Sequence, residues 1–522
     1  MPWWNSPDSC QRTVEVPGKQ AFLALLLLSL TACDGSRNPP DNDLQAFWEH
    51  RTEIIAEMEP CNRDAATANA ALVAESYCME FSRPENPDQP QARQIDLKVM
   101  LVPALSDFPE SDPLVLFAGG PGQAATTLTD VVNVFGRIRT ERDILLVDQR
   151  GTGELSPFNC NGDIDEIAQD LSLEEMLVLQ EEVLTECLAE TQADPIYYST
   201  WYAMQDMDAI REYFNFNQLN LWGASYGTRA ALAYLQAYPE HTRTVIIDGV
   251  APVTLRLPLN FERDASASLQ SIIDDCNSDD NCRNTFEDLP LMLEELKARF
   301  SEPVQVAVTD PEDLSREPLT LSDDMFFSLL RLPLYSREAQ RLIPFMIQQA
   351  HAGNYQPLIT LSTQFAEAQI NQGMFLSVVC SEDFSLLDDE SIRQAQEADY
   401  LLKSRYLSTP IVAACDLWPA SKPPEDYFET PDVDRPVLIL SGTQDPVTPP
   451  VWGDEVHETL PDSLHLVAEG FAHGTMFNGC IAGIMTDFII SGSLAGLETE
   501  CVEHLGRRPF FLTPGGAFRA DD

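Results

Sequence analysis

The sequence predicts an α/β fold with a mostly parallel central sheet, helices on both of its faces and an inserted helical cap. Short runs that are apolar throughout recur along the chain, and stretches of helical length separate them. Such runs are typical of strands buried on both faces. Glycine-rich and polar motifs follow these runs, at the strand ends where parallel sheets place ligand chemistry. No comparable series of runs occupies residues 256–430, so this segment is predicted to be the cap.

The predicted elements follow in chain order. Apolar runs predict strands at 95–102, 113–118 (PLVLFA), 143–147 (DILLV), 219–222, 244–248 (TVIID), 435–440 (RPVLIL) and 464–467. Apolar residues at helical spacing predict helices at 228–237, 323–330 and 338–350. The predicted domains are a tether and N-terminal segment at 34–93, a first core part at 94–255, the mainly helical cap at 256–430 and a second core part at 431–522.

Charge excludes one class of partner. The 522-residue chain carries 83 acidic and 32 basic residues, a formal net charge of −51. Nucleic-acid binding requires Lys and Arg to neutralise phosphates, so we expect no nucleic-acid partner. The acidity is interpreted as a solvated surface. A field that attracts cationic peptides is the alternative, and salt would screen most of that attraction.

The N-terminus predicts export. Lys19 precedes an apolar run at 21–30, which is too short to span a membrane and fits a secretory signal. Residues 30–33 (LTAC) resemble the lipobox of bacterial lipoproteins, so 1–33 is predicted to be a signal peptide and Cys33 the lipidated residue. Asp34 resembles a signal for retention in the inner membrane. We therefore expect an inner-membrane lipoprotein of the cell envelope that faces the periplasm. A soluble periplasmic or secreted protein is the alternative.

The cysteine count agrees with export. Without Cys10 and Cys33 the chain has an even number of cysteines, which in an exported protein predicts disulfides. Sequential pairing is the simplest hypothesis, although sequence alone leaves the connectivity open. Metal binding is the alternative, but no CxxC or His-rich spacing supports it, so no metal is expected. The cysteines are Cys61, Cys78, Cys160, Cys187, Cys276, Cys282, Cys380, Cys415, Cys480 and Cys501.

The segment 223–227 (GASYG) predicts a nucleophile. It fits G-x-S-x-G, in which a sharp strand-to-helix turn exposes a serine hydroxyl. The pattern alone also arises by chance. Here an apolar strand precedes it and a helical pattern follows, and both favour Ser225 as the nucleophile.

A serine needs a base and an acid, which in this arrangement follow it in the order Asp, His. His473 follows the last apolar run, and Asp445 follows the run before it. We predict that His473 is the general base and that Asp445 orients it. The alternatives are a surface histidine and an ordinary Asp-Pro turn. His465 lies within the last predicted strand and is predicted to be structural.

Acyl transfer also needs donors for a developing oxyanion. The backbone N–H of Tyr226, directly after the nucleophile, is predicted to be one of them. Gly120, in the loop after the PLVLFA strand, is predicted to supply the other. An ordinary turn at Gly120 is the alternative.

Several segments resemble the proline iminopeptidase and tripeptidyl aminopeptidase family of α/β-hydrolases. They cover most of the mature chain, and the C-terminal region resembles that of the tripeptidyl aminopeptidase branch. The resemblance implies an α/β-hydrolase fold and a serine exopeptidase that acts on peptides with a free N-terminus through an acyl-enzyme, without cofactor. The segments are 119–122 (GGPG), 148–153 (DQRGTG), 223–227, 334–336 (LYS), 353–354, 378–383 (VVCSED), 445–450 (DPVTPP) and the region from Cys480 to Cys501.

An aminopeptidase needs a carboxylate to bind the substrate ammonium. Glu382 and Asp383, in a cap segment shared with the family, are the candidates, and an ordinary acidic surface is the alternative. A disulfide between Cys380 and Cys415 would fix this segment over the site. Two other functions stay open, a carboxylesterase or lipase with the same triad and a non-catalytic envelope lipoprotein. The sequence leaves open the oligomeric state and the number of residues released per cleavage.

Overall fold

The computed structural model describes residues 42–61, 70–160, 172–309, 315–363, 370–429, 431 and 433–517. The predicted signal peptide, its Cys33 and Cys10 lie outside these residues. The described residues from 47 to 517 form one compact unit, and residues 42–46 belong to a second one.

Among the described residues, nine strands form the central sheet in the order β1-β2-β3-β5-β4-β6-β7-β10-β11. The pairs from β5 through β11 are parallel, and β1, β2 and β3 add an antiparallel edge. Two further strands, β8 and β9, form a separate hairpin. The strands are β1 Glu59–Pro60, β2 Tyr77–Pro84, β3 Gln94–Val102, β4 Leu114–Phe117, β5 Ile144–Val147, β6 Leu219–Ser225, β7 Thr242–Val250, β8 Val304–Thr309, β9 Arg316–Leu321, β10 Val437–Gly442 and β11 Ser463–Ala468.

Helices connect these strands and build the cap. In the core they are α1 Asn42–Glu57, α2 Ala70–Ala74, α3 Thr129–Val134, α4 Leu173–Glu190, α5 Thr200–Tyr213, α6 Tyr226–Ala237, α17 Pro450–Thr459 and α18 Gly479–Ser491. In the cap they are α7 Phe261–Ser278, α8 Asp280–Thr285, α9 Leu289–Arg299, α10 Asp323–Arg331, α11 Arg337–Gln340, α12 Ile343–His351, α13 Gln356–Thr363, α14 Gln372–Val378, α15 Asp389–Glu397 and α16 Arg405–Leu417, with a π-helical turn at Val379–Asp383.

The central strands are apolar throughout because both sheet faces are covered. Along β4, Leu114 and Leu116 join one hydrophobic cluster, whereas Val115 and Phe117 join another. Successive side chains of a strand point to opposite faces. The two clusters therefore lie on opposite sides of the sheet, and this architecture is the α/β-hydrolase fold.

The cap has a hydrophobic core of its own. It draws on α7, α9, α10, α12 and α13, and Phe510 and Leu512 from near the C-terminus complete it. The hairpin of β8 and β9 packs against it and was not among the predicted elements. The cap is thus mainly helical, with one hairpin in its described part.

Two predicted boundaries differ from the structure. The single helix expected over 338–350 is two helices, α11 and α12, because Pro344 lacks the N–H that a helix interior requires and lies instead in the first turn of α12. The predicted N-terminal segment contains β2, which pairs with β3 along its whole length. Glu80, Ser82 and Arg83 interrupt the apolar residues of this strand, so it lacks the continuous apolar run by which the central strands were predicted.

Five disulfides join the ten cysteines in sequence order, as the simplest hypothesis predicted. The pairs are Cys61–Cys78, Cys160–Cys187, Cys276–Cys282, Cys380–Cys415 and Cys480–Cys501. No helix of the described chain is long and apolar enough to cross a membrane. Within the same residues no cluster of His, Cys, Asp and Glu could hold a metal ion.

Candidate active site

Ser225 lies at the turn between β6 and α6, with φ of 56° and ψ of −127°. For a residue other than glycine this backbone conformation costs about 1–3 kcal/mol, and such strain is typical of functional sites. Gly223 and Gly227 flank the turn. A Cβ on Gly223 would overlap the carbonyl of Gly227, and one on Gly227 would overlap that of Phe117. The two glycines therefore let helix and strands pack closely enough to form the elbow.

His473 and Asp445 come from the loops after β11 and β10. The Nδ1 atom of His473 lies 2.8 Å from Oδ2 of Asp445. The buried Asp445 carboxylate accepts N–H groups from Val447 and Thr448, each at 2.8 Å, and the Thr448 hydroxyl, also at 2.8 Å. These bonds fix the carboxylate, so it can hold the imidazole with Nδ1 protonated and Nε2 free to accept a proton.

The two partners shift each other's pKa values. Burial alone would lower the pKa of His473, but the charge of Asp445 and its hydrogen bond outweigh burial and raise it. Burial alone would raise the pKa of Asp445, but His473 and the donors at Val447 and Thr448 outweigh it and lower it. The pair is thus arranged to stabilise an imidazolium that forms when His473 takes a proton.

Asp248 supports the loop that carries His473. This residue lies in β7, is buried, and accepts the N–H of Thr475 at 2.8 Å and that of Met476 at 3.0 Å. The hydroxyl of Thr475 donates to the same carboxylate at 3.1 Å. Burial raises the pKa of Asp248 to about 6, although these donors oppose the shift. Two residues after His473, the backbone is therefore bound to the central sheet.

One cavity of about 540 Å³ brings these groups together. Ser225, His473, Gly120 and Tyr226 all line it. Gly120 has φ of +105°, which side-chain-bearing residues rarely adopt, so glycine is required at that turn. The two predicted oxyanion donors thus belong to segments that border the same space as the serine.

The structure separates the two candidate amine-binding carboxylates. Both lie in the π-helical turn, next to the Cys380–Cys415 disulfide, and neither is exposed to solvent. Asp383 lines the cavity, whereas Glu382 does not. Glu382 instead accepts the N–H of Thr200 at 2.7 Å, the Thr200 hydroxyl at 2.9 Å and the hydroxyl of Tyr427.

An arginine from α6 joins this pair of carboxylates. Arg229 donates to the two oxygens of Asp383 at 2.9 and 3.2 Å and lies 3.7 Å from Glu382. Burial raises the pKa of both carboxyl groups, although the charge of Arg229 opposes the shift. Arg256 also attracts Asp383 but forms no ion pair with it among the described contacts. The ion-paired trio carries one negative charge in excess when both carboxylates are ionised.

The DQRGTG segment is structural. Arg150 is fully buried and donates to both oxygens of Asp206 at 2.8 and 2.9 Å. Asp148 accepts the N–H and the hydroxyl of Thr126 at 2.8 and 2.9 Å. His465 is also structural, because its two ring nitrogens lie 2.9 Å from Asp454 and from Ser441.

Sequence reasoning missed Thr448, Asp248, Arg229 and, in the cap wall of the cavity, Arg331. Asp248 carried a usable signal, since it ends the TVIID run and so lies at a carboxyl strand end. Thr448 also follows a strand, three residues after Asp445. Arg229 and Arg331 lie within helices, and their helical patterns give no sign of a cavity.

Comparisons with known proteins agree with this geometry. The family model described as TAP-like protein matches residues 401–501. Over 95% of its length the chain is 22% identical to serine protease Hip1 of Mycobacterium tuberculosis, 98% of which is covered. It is 20% identical to tripeptidyl aminopeptidase of Streptomyces lividans, over 83% of this chain and 84% of that one. The chain is thus similar over most of its length to a serine protease and to a tripeptidyl aminopeptidase, and its segment 401–501 to the TAP-like model.

Other proteins similar to this chain are named for other substrates. The chain is 25% identical to carboxylesterase B of M. tuberculosis, over 83% of this chain and 88% of that one. A solved structure of proline iminopeptidase from Mycobacterium smegmatis is 13% identical, with a TM-score of 0.36 over 80% of this chain and 99% of that one. Since relatives of similar identity are named for peptide and for ester substrates, the choice between these activities depends on the site.

Proposed function

We propose that the protein is a serine aminopeptidase with Ser225 as nucleophile, His473 as general base and Asp445 as the group that orients the base. The observation that carries the proposal is the arrangement of one cavity. Ser225, His473 and Asp383 line this cavity. The buried carboxylate of Asp445 holds His473 in place. Tripeptidyl aminopeptidase and serine protease Hip1, which the chain matches over most of its length, support a peptidase.

The reaction is acyl transfer in two steps. Nε2 of His473 takes the hydroxyl proton of Ser225 while Oγ attacks the scissile carbonyl carbon. The N–H groups of Gly120 and Tyr226 stabilise the negative oxygen of the tetrahedral intermediate. His473 then gives its proton to the leaving amine, the C–N bond breaks, and an acyl-enzyme remains. Water attacks this ester by the same route, and the free acid and Ser225 are regenerated.

Recognition of the substrate ammonium falls to Asp383. The ion-paired trio of Asp383, Glu382 and Arg229 has excess negative charge, which a substrate ammonium at the cavity wall would neutralise. A peptide with a blocked amine would leave that charge uncompensated in a buried place, which is strongly unfavourable. Glu382 has its oxygens occupied outside the cavity, so its part is to position Asp383 and Arg229.

The test is a panel of tetrapeptides that differ only in a free or acetylated N-terminus, with products identified by mass. We expect wild type to cleave the free peptides and to release fragments that contain the original N-terminus. Ser225→Ala, which should fold normally, should be inactive and should not react with a fluorophosphonate. Equal cleavage of free and acetylated peptides by wild type would contradict an aminopeptidase.

An esterase is the second candidate, and the 25% identity to carboxylesterase B favours it. Most of the cavity wall is apolar, including Leu255, Leu257 and Phe375, and it would accept an acyl chain. The discriminating measurement is kcat/KM for an alanine arylamide against that for a small neutral ester. Hydrolysis of the ester alone would select this second function.

We further propose that the protein is exported and held at the membrane by lipid on Cys33. The five disulfides support export, since such bonds persist in oxidising compartments. Full lipoprotein processing adds more than one acyl chain, as stable anchoring requires. Cys33→Ser should release the protein from the membrane fraction. Wild-type protein that starts after Cys33 and lacks lipid would contradict the anchor.

A further inference from the structure

The cavity wall contains a buried cation that the proposed reaction does not use. Arg331 is the last residue of α10 and is 6% exposed. It lines the same cavity as Ser225 and His473, from the cap side. A guanidinium is charged at every physiological pH, so this wall carries a permanent positive charge.

The described contacts of Arg331 hold its guanidinium in place but include no carboxylate bound to it. Nη2 donates to the hydroxyl of Tyr335 at 2.7 Å, and the guanidinium carbon lies 4.9 Å from the ring centre of Phe261 and 5.0 Å from that of Tyr335. Nε is shut off from solvent and has no hydrogen-bond partner. Glu262 attracts the guanidinium, but no ion pair joins the two among the described contacts.

Other buried arginines in the described chain are different. Arg150 forms two hydrogen bonds with the carboxylate of Asp206, and Arg229 forms two with that of Asp383. Burying a guanidinium without such a partner is unfavourable, because it loses water and gains no counter-charge. Two aromatic rings that fix the planar group in place make it a ready receptor, since its fork of N–H donors matches the two oxygens of a carboxylate.

The position of Arg331 relates it to one part of the substrate. The hydroxyl of Tyr335 accepts from Arg331, and the ring of Tyr335 lies edge-on to the ring of His473, with ring centres 5.4 Å apart. Arg331 is therefore on the His473 side of the cavity. His473 passes its proton to the leaving amine, so the part of the peptide C-terminal to the cleaved bond, here called the released part, lies on this side.

We propose that Arg331 is a carboxylate-binding subsite for the released part of the substrate, so the enzyme prefers short peptides whose free carboxylate reaches it. This proposal rests on the peptidase function. A cavity of about 540 Å³ accommodates a ligand of a few residues, not a folded protein. With Asp383 on another part of the wall, the site would recognise both ends of a short zwitterionic peptide. The same guanidinium could bind the carboxylate of an acidic side chain in the released part.

The experiment uses the full-length protein and two matched substrate pairs. The first pair is tetra-alanine as the free acid and as the C-terminal amide. The second pair is Ala-Ala-Ala-Glu-amide and Ala-Ala-Ala-Gln-amide, which isolates a side-chain carboxylate. We expect wild type to have a kcat/KM about tenfold or more higher for the acid than for the amide. Arg331→Gln should bring the ratio to about one, whereas Arg393→Gln, an exposed arginine on the cap, should keep it.

If wild type prefers the acidic member of the second pair but not of the first, the subsite binds an acidic side chain. This result would also support a carboxylate-binding role for Arg331. A wild-type ratio near one in both pairs would overturn the proposal, and this result does not depend on whether Arg331→Gln folds. A ratio that survives in folded Arg331→Gln would overturn it as well. Tyr335→Phe, which keeps the ring but removes the hydroxyl that Nη2 contacts, should reduce the ratio partly. An alanine arylamide lacks a carboxylate, so its hydrolysis by wild type tests the peptidase function separately.

Discussion

The sheet core and the cap contribute to the cavity in different ways. From the core come Ser225, at the end of β6, and Asp445 and His473, on the loops after β10 and β11, so neighbouring parallel strands fix their relative positions. The cap supplies Asp383 and Arg331 from helical turns packed on a separate hydrophobic cluster or on a disulfide. In the proposed function, the core therefore carries the chemistry and the cap carries the selection of substrate. Core substitutions should therefore reduce kcat, and cap substitutions should change KM and substrate ratios.

The largest expected effect is at Ser225. Ser225→Ala deletes only a hydroxyl, so folding should be intact while kcat falls by a factor of about 10³–10⁶. The measurement is peptide hydrolysis with thermal unfolding as the check of folding. Ser391→Ala, in the exposed first turn of α15, is the control and should keep full activity. Near-normal turnover by folded Ser225→Ala would refute the mechanism.

Asp445→Asn should lower kcat by about 10⁴, because the neutral amide no longer fixes the His473 tautomer. The proposed mechanism needs neutral His473, so wild-type kcat/KM should fall as the pH drops through the raised pKa of this histidine. Removing the Asp445 charge lowers that pKa, so the acid limb of the residual activity should move to lower pH. Asp454→Asn is the matched control, since Asp454 pairs with His465 away from the cavity. If the acid limb of the pH profile does not move in Asp445→Asn, the titrating group is not His473.

Asp248→Asn tests whether the core also positions the base. An amide nitrogen facing the N–H groups of Thr475 and Met476 would repel them and shift the loop after His473. A misplacement of about 1 Å can cost about 10² in rate, so kcat should fall by roughly this factor with KM little changed. Rapid labelling by a fluorophosphonate would show that Ser225 itself still reacts. A change in KM alone would assign Asp248 to substrate binding instead.

In the cap, Asp383→Asn should raise the KM for free-amine peptides about tenfold or more and scarcely change hydrolysis of a small neutral ester. Glu382→Gln should have a smaller effect on the ratio of kcat/KM for free-amine peptides to that for acetylated peptides, because Glu382 does not line the cavity. Asp324→Asn breaks another Asp–Arg pair of the cap, in which the buried Asp324 binds the exposed Arg405, and it is the control for general loosening. If Asp383→Asn keeps the wild-type preference for free-amine over acetylated peptides, the substrate amine binds elsewhere.

The smallest effect concerns stability. The folded pKa of Asp248 is about 6, above the usual value for an aspartate, so the folded state binds this proton more tightly than the unfolded state. The resulting stabilisation is complete at acid pH and is lost as the pH rises through about 6. Urea unfolding of wild type and Asp248→Asn between about pH 4 and about pH 7 should show this dependence in wild type only. If the free energy of unfolding changes with pH in the same way in both proteins, the raised pKa of Asp248 is contradicted.

The core was more predictable than the cap for a physical reason. Its strands are apolar on both faces, so runs such as PLVLFA and DILLV predict β4 and β5 to within about two residues. The motifs after these strands then predict which residues share an edge of the sheet. In the cap, the hairpin of β8 and β9 was missed, although valines alternate along 304–308. The role of Arg331 was also unpredictable, because whether a guanidinium has a partner depends on three-dimensional contacts.

The placement of Phe510 and Leu512 in the cap cluster has a consequence for proteolysis. The N–H of Phe511 donates to the carbonyl of Arg341 at 3.0 Å and ties this stretch to the cap. A protease that cut shortly before Phe510 would remove two buried side chains from the cap cluster without removing a strand of the sheet. Trimming from this side should therefore loosen the cap before it loosens the core.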